Sequence, residues 1–147
     1  MSGQLDVPAN FIEVSRRFDA SCEAVFDAWT DPVVASRWLF TSPTSESHAT
    51  ELDVRVGGAW KISDRREGVD YVAMGEYLEV DRPRRLVFTF GMPQFSPLFG
   101  RVVVICEPDG AGCLMTLRQE ELPQEHHEGT IEGWRLMFNG LAVALDG

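Results

Sequence analysis

The chain has 147 residues, a length typical of one domain that buries one sizeable core. Apolar residues make up 44% and charged residues 24% of the sequence, which excludes the composition of a disordered chain. Asp and Glu number 23 against 13 Lys and Arg, and the resulting net charge of -10 disfavours nucleic acid and anionic membrane surfaces as partners.

The first residues and the cysteines indicate the cellular compartment. The N-terminal residues lack the basic and apolar regions of an export signal, and no apolar run approaches the roughly 18 residues that span a bilayer. Cys22, Cys106 and Cys113 are odd in number and lack C-x-x-C spacing, which is typical of reduced thiols. We therefore predict a cytoplasmic protein without a membrane segment.

The first predicted element is a strand at residues 11–18, where apolar and polar residues alternate with a period of two. A helix follows that carries Val25, Phe26 and Trp29, and Ser21 is placed to cap its first turn. Asp31 and Pro32 then begin a second, short helix that ends near residue 38.

The next elements are predicted to be strands. The Ser/Thr-rich stretch at residues 41–50 indicates a loop, followed by a strand at residues 51–56. Gly57 and Gly58 predict a two-residue hairpin turn, because adjacent glycines adopt the positive φ angles of such turns. Further strands are predicted at residues 59–65, 71–80, 85–90, 101–107 and 113–120, with a break at residues 108–110 between the last two.

The last predicted element is a helix of about 15 residues. Its apolar residues recur at spacings of three and four, which places them on one face: Trp134, Met137, Phe138, Leu141 and Leu145. Together with the first strand, the six strands after the short helices make seven. Because the six follow one another through short connections, they predict an antiparallel meander, and the fold class is α+β. The absence of repeats and linkers predicts a single domain over residues 1–147.

One long helix is too narrow to fill the concave face of a seven-stranded sheet. The interior is therefore expected to hold large side chains or to remain partly hollow.

Several segments match a known family in order and spacing across nearly the whole chain. They are Phe18-Asp19-Ala20, Val25-Phe26-Asp27-Ala28-Trp29-Thr30-Asp31-Pro32, Trp38, Asp53-Val54-Arg55-Val56-Gly57-Gly58-Ala59-Trp60, Gly75-Glu76-Tyr77-Leu78-Glu79-Val80, Pro83-Arg84-Arg85-Leu86-Val87-Phe88-Thr89-Phe90 and Gly133-Trp134. The chain resembles the START-like (SRPBCC, helix-grip) superfamily, and within it the homologues of the heat-shock protein 90 ATPase activator C-terminal domain.

This resemblance implies a helix-grip fold. In that fold a curved antiparallel sheet of about seven strands wraps around a long C-terminal helix, two short helices follow the first strand, and a cavity lies between sheet and helix. Members of the superfamily carry lipids, hormones or polyketides, and some are cyclases or hydrolases. Fold alone does not decide between these functions.

Large apolar side chains are candidates for the walls of that cavity, because they contact apolar ligands without directional bonds. The alternative for each is ordinary core packing. The candidates are Trp38, Trp60, Phe88, Phe90, Met115, Trp134, Met137 and Phe138.

The connection at residues 91–100 is more apolar than a solvated loop, since it contains Met92, Phe95, Leu98 and Phe99. We expect it to cover the mouth of the cavity, with Phe95 and Phe99 as further ligand-binding candidates. A homodimer contact and local packing beneath the loop are the alternatives.

Catalytic and metal-binding patterns are absent from the sequence. No catalytic or phosphate-binding motif occurs, and His126 and His127 point about 100° apart if helical, so we predict no metal site and no cofactor. Four charged residues on predicted strands could face inward: Arg55, Asp64, Glu76 and Arg118. The simpler interpretation is that they are exposed or paired across strands.

The sequence thus predicts binding of a small hydrophobic or aromatic molecule in a cavity between the sheet and the C-terminal helix. An enzyme of cyclase or hydrolase type that uses the same cavity is one alternative. A module that binds a chaperone and activates its ATPase is the other.

Overall fold

The computed structural model describes residues 10–41, 44–97 and 99–146. The parts of the predicted loops and of the predicted domain that include residues 1–9, 42, 43, 98 and 147 lie outside the described residues. The strands are β1 Ile12–Phe18, β2 Ser47–Leu52, β3 Ala59–Arg66, β4 Val69–Asp81, β5 Arg85–Phe90, β6 Gly100–Asp109 and β7 Gly112–Gln119. The helices are α1 Cys22–Thr30, α2 Pro32–Ala35 and α3 His127–Asp146, with a 3-10 turn at Gln124–His126 before α3.

All seven strands form one sheet in the order β1-β7-β6-β5-β4-β3-β2, and every neighbouring pair is antiparallel. The sheet is curved, and α1 and α2 follow β1 while α3 ends the chain. This confirms the predicted α+β helix-grip architecture.

The two short helices begin where the sequence predicts. The Ser21 hydroxyl accepts a hydrogen bond from the Ala24 amide at 3.1 Å, and the Asp31 carboxylate accepts one from the Val33 amide at 2.9 Å. Pro32 occupies the first turn of α2, where its missing N–H removes no helical hydrogen bond. The second helix ends at Ala35, and the chain continues in turns to Phe40.

The prediction for β2 was wrong in position. The strand occupies Ser47–Leu52, four residues earlier than predicted, so part of the supposed loop at residues 41–50 is strand. Its inward positions are His48, Thr50 and Leu52, each half-buried opposite a buried residue of β3. Because this is an edge strand whose inward residues are mostly polar, its sequence lacked the apolar alternation of a buried strand.

Two predicted turns were also wrong. The connection between β2 and β3 is six residues long, and of its two glycines only Gly57 has a positive φ, at 87°. Gly58 is required for another reason: a Cβ there would lie 2.0 Å from the Asp53 carbonyl oxygen. Between β6 and β7 the turn is at residues 110–111, and Pro108 and Asp109 continue the strand.

Helix α3 has 20 residues, longer than the predicted 15, because its polar first turn precedes the apolar stripe. Trp134, Phe138 and Leu141 are buried against the sheet side, and Met137 and Leu145 are half-buried. The predicted face of the helix is therefore the face that packs.

The four tryptophans form the centre of the core, each at most 3% exposed. Every indole N–H has an acceptor, as burial of a polar group requires. Trp29 donates to the Met115 sulfur at 3.2 Å, Trp38 to the Ala28 carbonyl at 3.0 Å, Trp60 to the Thr89 carbonyl at 3.0 Å and Trp134 to the Gln119 side chain at 2.8 Å.

Candidate functional site

A pocket of about 440 Å³ lies beside the N-terminal half of α3. Helix α3, the loop after β5 and the segment after β7 enclose it, and Phe40 contributes from the turn after α2. Its apolar walls are formed by Phe40, Phe90, Met92, Phe95, Leu122, Pro123, Trp134 and Met137.

A second cavity, deeper in the sheet, is only about 10 Å³ in volume, roughly the space of one water molecule. Its lining consists of Trp29, Leu39, Phe40, Leu52, Trp60, Tyr77, Leu86 and Phe88. The concave face is therefore filled there by side chains. Helix α1 and the turn after α2 supply much of that filling, because Trp29 contacts Trp38, Phe88 and Phe138 with ring centroids 4.7 to 6.5 Å apart.

The structure separates the predicted cavity residues into groups. Phe90, Phe95, Trp134 and Met137 line the 440 Å³ pocket. Trp60 and Phe88 line the small void, while Trp38, Met115 and Phe138 are buried and line neither cavity. Phe99 is 44% exposed and its ring packs against Gly91, which lines the pocket.

Phe40 is a wall residue that the sequence analysis missed. Its ring is stacked on Phe90 with centroids 5.0 Å apart and on Trp60 at 5.7 Å, and its amide lies 3.2 Å from the Met137 sulfur. The backbone there has a φ of 52°, a left-handed conformation that is uncommon for a residue other than glycine. No pattern in the sequence marks that conformation.

Gln119 is the second residue that the sequence analysis missed, although a signal for it existed. The alternation of Cys113, Met115 and Leu117 along β7 places the next inward side chain at position 119. Gln119 is 5% exposed, lines the pocket and accepts the hydrogen bond from the Trp134 indole. It is thus a buried polar group in an otherwise apolar wall.

Further polar groups lie nearer the mouth, where Glu121 and His126 are exposed and Thr130 is half-buried. No hydrogen bond among the described residues joins these three side chains to one another or to Gln119. None of the described residues that line the pocket is Lys or Arg. The described lining of the pocket therefore offers hydrogen-bonding groups, but no Lys or Arg charge and no acid and base that are hydrogen-bonded to each other.

Of the four charged residues on predicted strands, Asp64 faces inward and is 2% exposed. Its carboxylate is 2.8 Å from Arg66 Nε and 3.2 Å from His48 Nδ1, and it accepts hydrogen bonds from Thr41 and Ser45. This pairing offsets the cost of burial. Asp64 does not line the pocket.

The other three charged residues lie at the surface or close to it. Arg55 is exposed in the loop after β2 and is paired with Asp53, and Glu76 is exposed on β4. Arg118 is half-buried with its guanidinium 3.7 Å from the centroid of the Phe11 ring. None of the three contributes to the pocket.

The two histidines at the start of α3 are not hydrogen-bonded to each other in the described part of the chain. His126 is exposed, and His127 Nε2 donates to the Leu122 carbonyl at 2.8 Å. Within residues 10–41, 44–97 and 99–146, no group of three or more His, Cys, Asp or Glu side chains is arranged to hold a metal ion.

Together, the curved sheet, the long helix across it and the apolar pocket at one end define a START-like protein of helix-grip architecture. The chain belongs to the family described as activator of Hsp90 ATPase homolog 1-like protein, which matches residues 19–146. No curated protein matches it significantly. None of the described helices is long and apolar enough to cross a membrane.

Several solved structures have the same fold. Protein CV1439 from Chromobacterium violaceum is 26% identical with a TM-score of 0.85, and the match covers 94% of this chain and 98% of that one. A protein from Arthrobacter aurescens is 23% identical with a TM-score of 0.81, covering 94% and 87% of the two chains. Protein NE0264 from Nitrosomonas europaea is 20% identical with a TM-score of 0.79, covering 95% and 98%.

Proposed function

We propose that this protein binds a small apolar or aromatic molecule in the pocket beside α3. The observation that carries the proposal is the size of this pocket together with its apolar lining. A volume of about 440 Å³ falls within the range of roughly 300 to 1,000 Å³ that is usual for small-molecule sites. Affinity would come mostly from burial of apolar surface, at about 25 cal/mol per Å².

The inner wall of the pocket supports the proposal because packing already holds it in place. Trp134 is 2% exposed, and its ring contacts Phe40 and Phe138 with centroids 5.5 and 5.8 Å apart. A ligand would therefore meet an ordered aromatic surface and would not have to order it, which lowers the entropic cost of binding.

A cytoplasmic location is part of the proposal. Cys22, Cys106 and Cys113 are all free and buried, which suits a reducing compartment.

The test uses two glycines of α3. A Cβ added at Gly133 or at Gly129 would meet no other atom within 4 Å, but only Gly133 lines the pocket. Gly133→Leu should therefore fill the pocket without disturbing the core, and Gly129→Leu is the matched control. Both changes should stabilise the helix, by up to about 1 kcal/mol.

Binding of tetralin, a bicyclic hydrocarbon, would be measured by isothermal titration calorimetry. We expect wild type and Gly129→Leu to bind it equally and Gly133→Leu to bind at least about tenfold more weakly, because its side chain occupies the ligand's space. Equal binding by all three proteins, or by none, would contradict the proposal.

A second candidate function comes from the description of the family, which names an activator of the Hsp90 ATPase. In that case the protein would contact the chaperone through its outer surface, and the pocket would not take part directly. The exposed side chains on α3 that such a contact would use include Leu136 and Val143, which are 61% and 72% exposed.

A further inference from the structure

Gln119 differs from the other inward residues of its strand. Cys113, Met115 and Leu117 precede it on the same face of β7, and all three are buried and apolar. Gln119 follows as the last inward residue, 5% exposed, at the point where the strand meets the pocket. An amide costs free energy to bury unless its polar atoms are hydrogen-bonded.

The indole of Trp134 fixes the orientation of this amide. The indole nitrogen can only donate, so the atom of Gln119 that faces it at 2.8 Å is the carbonyl oxygen. The amide nitrogen consequently points elsewhere, and it makes no hydrogen bond within the described part of the chain. The two N–H groups of the Gln119 amide, whose side chain lines the pocket, are therefore free to donate hydrogen bonds to a ligand.

We infer that Gln119 is a specificity-determining residue, and that the ligand is a neutral apolar molecule with a carbonyl or similar oxygen that accepts a hydrogen bond from the Gln119 amide. This inference rests on the proposed function. A mostly apolar site that presents a donor without a protein partner favours ligands that satisfy this donor over analogues that leave it unpaired.

The charge of the site supports a neutral ligand. None of the described residues that line the pocket is Lys or Arg, while Glu121 is at its mouth and the whole chain carries a net charge of -10. A carboxylate in the pocket would lose its hydration without gaining an ion pair to Lys or Arg from the described lining.

The test compares two probes of nearly equal shape, 1-tetralone and tetralin, which differ by a carbonyl group in place of a methylene. Binding of each is measured by calorimetry to wild type and to Gln119→Met, which keeps the length of the side chain and removes its donors. We expect Gln119→Met to weaken 1-tetralone binding about five- to tenfold more than tetralin binding. Tetralin thus reports any general damage to the pocket.

A second measurement needs only the wild-type protein. If Gln119 donates to the bound ketone, the infrared band of a 13C-labelled carbonyl in 1-tetralone should shift to lower wavenumber than in a hydrocarbon solvent. This measurement stands even if Gln119→Met, which leaves the Trp134 N–H without its acceptor, fails to fold.

The outcomes are distinguishable. A selective loss for 1-tetralone, or the infrared shift where the variant does not fold, supports the inference. If Gln119→Met weakens binding of both probes equally, or if the carbonyl band does not shift, the role of Gln119 is overturned. The proposed binding of apolar molecules by the wild-type protein would then still stand. Failure of wild type to bind either probe would overturn the proposed function and this inference with it.

Discussion

The three thiols lie together in the core near the N-terminus of α1. Cys22 and Cys113 have their sulfur atoms 3.0 Å apart, and Cys106 is 2% exposed on the neighbouring strand β6. Burial raises the pKa of Cys106 to about 11, although a hydrogen bond from Cys113 opposes the change. Burial likewise raises the pKa of Cys113. Both groups are therefore held as neutral thiols near pH 7.

The raised pKa of Cys106 predicts a loss of stability at alkaline pH. The folded protein holds this proton more tightly than the unfolded chain, whose thiol has a pKa of 9.0. The contribution to the free energy of unfolding is thus complete below pH 9 and is lost as the pH rises towards 11. We expect thermal denaturation midpoints to fall over that range, and to fall less in Cys106→Ala.

The matched control for this prediction is the same pair of proteins at pH 7 and pH 8, where the difference between their midpoints should be constant. An identical alkaline decline in wild type and Cys106→Ala would show that other groups cause it.

At the scale of single residues, the sequence predicted the residues that cap helices better than the residues that line the pocket. Ser21 and Asp31 were identifiable because capping depends on neighbours in the chain. Phe40 was not, since a left-handed φ and a stack between two distant strands depend on tertiary packing. Gln119 was predictable from the alternation of β7, but of the inward residues of that strand only Met115 was named as a candidate for the cavity wall.

The loop at residues 91–97 is the element that forms the outer wall of the pocket. Phe95 lines the pocket while remaining 64% exposed, and its ring centroid is 5.9 Å from that of Tyr71. Backbone hydrogen bonds from Phe95 and Ser96 to the Met92 carbonyl form a turn that holds the ring there. An exposed aromatic side chain at a pocket mouth gains buried area when a ligand enters.

Phe95→Ser should weaken tetralin binding about three- to tenfold, because the ligand loses apolar contact area at the mouth. Val143→Ser is the matched control: Val143 is 72% exposed on α3 and does not line the pocket. Calorimetry on both variants, with sedimentation velocity alongside, separates two roles of the loop. A change in oligomeric state with unchanged tetralin binding would identify a dimer contact instead of a pocket wall.

Among the elements, the sequence predicted the positions of most strands correctly, but its prediction for the edge strand β2 was wrong. β5 matches its prediction at both ends because its apolar run is bounded by clear turn residues. The predicted position of β2 was wrong because its inward side chains are polar and are hydrogen-bonded: His48 to the buried Asp64 carboxylate and Thr50 to His48. Such a strand is stabilised by hydrogen bonds that composition alone does not reveal.

For the whole molecule, seven strands and one long helix correctly predicted the fold, but they left open whether the interior is filled by side chains or partly hollow. The prediction of a partly hollow interior counted α3 as the only helix packed on the sheet. In the structure, α1 and the turn after α2 also contribute large aromatic rings to the concave face. The remaining space is displaced to the end of the sheet between α3 and the loop after β5. Its position depends on how three helices share one surface, which periodicity in a single segment cannot give.

The two candidate functions of the molecule should be separable by Gly133→Leu. This change fills the pocket and leaves the outer surface as it is, since Gly133 faces open space within the pocket. Any stimulation of Hsp90 ATP hydrolysis should therefore be equal for wild type and Gly133→Leu in an assay with purified proteins. Loss of stimulation together with tetralin binding would mean that chaperone activation requires the pocket.

The position of Trp134 has a practical consequence. Of the four tryptophans it is the one that lines the larger pocket, and its N–H is bonded to the same amide that is proposed to meet the ligand. Ligand binding should therefore change the fluorescence emission of Trp134, one of the four tryptophans, without any attached dye. The native chain carries its own optical reporter, and unlabelled compound libraries can be screened against it directly.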